Sequence, residues 1–108
     1  MDEAQRLFDE GMQLLGQGNL TEAMNLFTKS YNTGWNTRAL FYSAEAAFQL
    51  AISYYKNKVY VDWDIFSNDA LYKFNRCLDE TPSDEIRTKA TERISKINEL
   101  RDLAKDLK

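Results

Sequence analysis

The chain has 108 residues, 44% hydrophobic and 29% charged, with a net charge of −3, the make-up of one globular domain able to bury a core alone. Four glycines and one proline cannot supply a turn every ~8–12 residues, which excludes an all-β sandwich. With no histidine and one cysteine, Cys77, there is no imidazole acid–base chemistry or metal ligation, no internal disulfide and no thiolate cluster.

The first helix is expected over roughly Asp2 to Leu15, where Ala4, Leu7, Phe8, Met12, Leu14 and Leu15 recur mostly at three- and four-residue steps. Gly16-Gln17-Gly18-Asn19 breaks it, and Asn19 or Thr21 caps a second helix to about Asn32. Its apolar side carries Leu20, Ala23, Met24, Leu26, Phe27 and Tyr31, and Gly34 suits a left-handed C-cap. A third helix, capped by Thr37, runs to about Lys56. It is apolar nearly all round through Ala39–Ala51, as a helix held between neighbours is. Its 17-residue apolar run Ala39–Tyr55 contains Glu45 and falls short of the ~20 residues a membrane span needs.

The segment Lys56–Asp62 reads as a linker whose form the sequence leaves open: Val59-Tyr60-Val61 suits an extended piece, but a lone strand has nothing to pair with. A fourth helix begins near Asp62 or Asp64 and ends at Glu80. Thr81 as cap and Pro82 at the first helical position start a fifth helix. Ile86, Ala90, Ile94, Ile97, Leu100, Ala104 and Leu107 form its single stripe. The expected fold is all-α, five helices in one domain. Residues 1–34 carry a charge of −3, 35–82 of −1 and 83–108 of +1. No basic stripe follows, so nucleic acid is not an expected partner. The acidic start, MDEAQRLFDEG, is unlike a signal peptide, and with one free thiol the expectation is a cytoplasmic setting.

A repeat emerges from Leu7-x2-Glu10-Gly11-x2-Leu14, then Gly18-Asn19-Leu20, then Ala23-x3-Phe27. Two small residues, Gly11 and Ala23, would let the helices approach, with Phe27 filling the space beside them. This resembles the tetratricopeptide repeat family. A second partial copy is Ala70-x3-Phe74 with Pro82 after it, 47 residues on from Ala23 against the family's period of 34. The second repeat therefore resembles the family with an insertion of about 13 residues between its helices. Either Ala44 or Ala46 takes the place of Gly11, and Trp35 stands where the second copy has Pro82. The division is 1–34, first repeat; 35–82, second repeat; 83–108, a polar-backed capping helix. A microtubule-interacting-and-transport-type three-helix domain is the rival architecture.

No catalytic constellation assembles. Asp9-Glu10, Asp79-Glu80 and Asp84-Glu85 are adjacent pairs that diverge by ~100° on a helix. Asp62, Asp64 and Asp69 lack the glycine and terminal glutamate of a calcium loop. Cys77 on the core face reads as a small hydrophobe. No enzyme activity, cofactor or metal site is expected. The resemblance implies a protein-binding module, an adaptor or assembly chaperone whose first helices line a concave groove. Phe8, Met12 and Leu15 would line it, with Ser43, Ala47 and Leu50 if Ala46 is the small contact residue. Phe8 and Met12 replace the lysine and asparagine that the chaperone-tail branch uses for a carboxylate, so an apolar segment is the expected ligand. In a competing arrangement the last helix folds back into the groove. Tyr54, Tyr55, Tyr60 and Trp63 form a second candidate surface. The alternative function is that of a structural subunit or a self-associating domain.

Overall fold

The computed structural model describes residues 2–80 and 83–106, which form five α-helices and no strand. Helices α1 (Glu3–Gly16) and α2 (Leu20–Asn32) make one hairpin, α3 (Thr37–Lys56) and α4 (Tyr60–Glu80) a second, and α5 (Asp84–Lys105) follows. Each helix packs on the next in order, α5 also touches the flank of α3, and the molecule extends 49 × 27 × 19 Å. Three helix starts, those of α1, α3 and α5, are held by side chains that satisfy first-turn amides, whereas Asn19, at the cap position of α2, makes no side-chain capping bond. Asp2 accepts from the Gln5 amide at 2.9 Å, Asn36 from Arg38 at 3.0 Å and Ser83 from Ile86 at 3.3 Å. Asn36, not Thr37, therefore caps α3. Thr81 and Pro82, expected to start the fifth helix, lie outside the described residues, as does Leu107 of its stripe.

Three helices end in the same turn. After α1, α2 and α3 a residue with positive φ follows the C-cap: Gly18 (79°), Gly34 (115°) and Lys58 (63°). In each, its amide and the next one bond back to carbonyls of the last turn: Gly18 to Leu15 and Asn19 to Leu14, Gly34 to Tyr31 and Trp35 to Ser30, Lys58 to Tyr55 and Val59 to Tyr54. This is the Schellman arrangement, which closes orphan carbonyls and reverses the chain within three residues. It decides the form of Val59-Tyr60-Val61, which is not extended, and moves the start of the fourth helix ahead of Asp62. Val59 ends the turn, its carbonyl accepts from the Trp63 amide at 3.0 Å, and α4 begins at Tyr60. Lysine at the third turn bears the left-handed conformation without glycine's freedom. Lys58→Gly should therefore stabilise the fold by about 0.5–1 kcal/mol, and Lys58→Val should destabilise it, both read from urea midpoints.

Glycine is required at Gly11. A Cβ there would stand 2.8 and 2.9 Å from ring carbons of Phe27, a fully buried side chain that has nowhere to retreat. Phe27 also meets Phe8 at 5.6 Å between centroids, and α3 contributes Tyr42 at 5.6 Å. Fully buried Ser30 donates to the Ala4 carbonyl at 2.6 Å and ties the far end of the same hairpin. The second hairpin repeats the ring pair as Phe41–Phe74 at 5.8 Å. Gly11 follows Phe8 by three residues and Ala44 follows Phe41 by three. Ala44 is fully buried in the cluster that holds Phe74. The ring pairs thus put Ala44, not Ala46, in the small-residue position.

The same landmarks show what the extra residues do. Phe8 precedes Gly18 by ten residues and Phe41 precedes Lys58 by seventeen, while Gly18 precedes Phe27 by nine and Lys58 precedes Phe74 by sixteen. Between its ring and its turn each arm of the second hairpin is seven residues longer, about two helical turns, and the helices themselves have 20 and 21 residues against 14 and 13. There is no inserted linker; both helices lengthen and the turn between them is unchanged. Gly11→Ala should cost about 1–3 kcal/mol through overpacking. Gly16→Ala, whose added methyl would meet nothing within 4 Å, should be neutral or stabilising by up to about 1 kcal/mol. Thermal and urea unfolding of the two variants measures the contrast.

Candidate functional site

Helices α1, α3 and α5 face one another across a groove with α3 as its floor. A cavity of about 330 Å³ is lined by Leu15 of α1, Phe41, Tyr42, Glu45 and Gln49 of α3, and Lys89, Glu92 and Arg93 of α5. A smaller one of about 130 Å³ shares Phe41, Tyr42 and Lys89 and continues to Arg38, Ser83, Glu85 and Ile86. The floor is mixed, Phe41 and Tyr42 beside Glu45 and Gln49, and the α5 wall is charged. A wider concavity of about 540 Å³ lies on α2 around Glu22, Asn25, Leu26, Thr28 and Lys29, where a single helix supplies every lining group and nothing converges.

An ion pair crosses the groove. Arg93 donates from Nε and a terminal nitrogen to the two Glu45 oxygens at 3.0 and 2.8 Å, and its guanidinium lies 4.7 Å from the Phe48 ring centroid. Glu45 is 8% exposed. A carboxylate so deep in an apolar helix needs a charged partner, and the two-pronged geometry of arginine provides one with fixed direction. Sequence reading missed Arg93, Lys89 and Glu92. The available signal was Glu45 itself, one carboxylate in a helix otherwise apolar on every side.

The expected lining residues divide. Leu15 lines the cavity. Met12 is half-buried against the first-hairpin cluster. Phe8 is 6% exposed, enclosed by Phe27, Trp35 and Tyr42 and overlaid by the Arg38 guanidinium at 5.3 Å. It is core, not wall. Ser43 and Ala47 have no exposed surface. Ser43 faces the opposite side of α3, sharing a 2.8 Å hydrogen bond with Thr28 and accepting one from Lys73 at 2.8 Å. Lys73 also pairs with Asp69 at 2.7 Å, so this network joins α2, α3 and α4. These placements follow from Ala44 holding the small-residue position, which turns Phe41, Tyr42 and Glu45 toward the groove in place of Ser43, Ala47 and Leu50. Half-buried Leu50 is not among the residues that line the cavity.

Trp63 is fully buried with its indole nitrogen unpartnered and presents nothing to a ligand. Tyr55 meets it edge-on at 5.2 Å and Tyr60 at 5.9 Å, while Tyr54 stacks on Phe66 at 5.6 Å. These rings fill the two added turns of the second hairpin. Burial pushes the Cys77 thiol up to about 12, far from the thiolate a nucleophile requires. Among the described residues no group of three or more metal-ligating side chains converges, and no helix is long and apolar enough to cross a membrane. No family model, curated relative or solved structure matches this chain.

Arg93→Met should cost about 1–3 kcal/mol by leaving the Glu45 carboxylate unpaired, less than a fully buried pair would because Arg93 is 42% exposed at its side chain. Adding Glu45→Leu should recover most of that loss. A urea double-mutant cycle measures both.

Proposed function

We propose that the chain is a tetratricopeptide-like helical-hairpin module without enzymatic activity. It acts as an adaptor or assembly chaperone that holds a segment of another protein in the groove between α1, α3 and α5. The observation that carries this reading is the cavity of about 330 Å³ lined by all three of those helices. Two hairpins of one design support the repeat assignment: Phe8 and Gly11 of α1 correspond to Phe41 and Ala44 of α3, 33 residues on and one short of the family's 34, and each hairpin closes on one phenylalanine pair. Leu15 and Tyr42 on one side, with Glu45, Gln49 and the charged α5 wall on the other, suit an amphipathic segment whose apolar side meets Leu15 and Tyr42, as helix-in-groove recognition uses. The buried free thiol fits a reducing compartment such as the cytoplasm.

Helix α5 packs on α4 and the flank of α3, so it serves as a third wall and leaves the Leu15 side open. Leu15→Glu should accordingly abolish partner capture while leaving the thermal midpoint within a few degrees, since a carboxylate at the open edge stays hydrated until a partner covers it. Pull-down with mass spectrometry is the measurement, with Gln49→Trp as a second variant that narrows the cavity. An unchanged set of captured proteins with both variants would refute groove binding.

A further inference from the structure

We draw no further inference here: the strongest candidate, the exposed apolar stripe of Val61, Ile65 and Tyr72 on the outer face of α4, is bordered by charges of both signs, with Asp69 held by Lys73 and Arg76 over the Tyr72 ring, and nothing in the structure shows what covers it.

Discussion

Helix α3 has no polar face, and the rest of the structure answers to that. From Ala39 to Phe48 it holds nine buried residues of ten, so it is stable only when neighbours cover it from several directions. Helix α2 lies on one side and α4 on another, with α5 along the flank. Alanines at 39, 44, 46, 47 and 51 leave room for close approach, and the aromatic rings of both hairpins interdigitate there, Tyr42 reaching Phe8 and Phe27 while Phe41 reaches Phe74. The two polar groups inside α3 are partnered for the same reason. Ser43 bonds toward α2 and α4, and Glu45 pairs with α5. Together they fix how the neighbours are rotated around the central helix.

Much of this was legible in local pattern. Three- and four-residue apolar spacing predicts each helix to within a few residues, and Gly11 with Ala23-x3-Phe27 predicts the close contact of the first hairpin. Elsewhere local signals misled. Val59-Tyr60-Val61 has the β-branched and aromatic make-up of a strand, but the turn before it is closed by backbone bonds, and a lysine at its left-handed position gives no sign of the kind glycine gives. The groove was less legible than the fold. Its wall depends on whether Ala44 or Ala46 meets the neighbouring helix, one choice that rotates every side chain on α3. The Glu45–Arg93 pair joins residues 48 apart, beyond the reach of any periodicity.

The polar ties show how few groups set the stacking. At the far end of the helices Tyr31 of α2 donates to Glu80 of α4 at 2.6 Å, and Arg76 binds both. Burial and then the Glu80 carboxylate raise the Tyr31 phenol above its ordinary range, so it stays a neutral donor there. With the Thr28–Ser43–Lys73 bonds, this gives α2 and α4 two polar links across a core that is otherwise apolar and directionless.

The seven residues by which each arm of the second hairpin is longer between ring and turn amount to one heptad apiece. Seven steps of ~100° return a helix to within ~20° of its starting direction, so lengthening both arms by a heptad leaves every core side chain aimed as before and slides only the turn outward. A hairpin of this kind has an adjustable reach. It can project about 10 Å further without re-aiming its base, provided both arms change together. An addition to one arm alone would offset the two across the turn. Size in such a molecule is quantised in matched pairs of turns, and the part beyond the base is free to change its surface without disturbing the contacts that hold the stack.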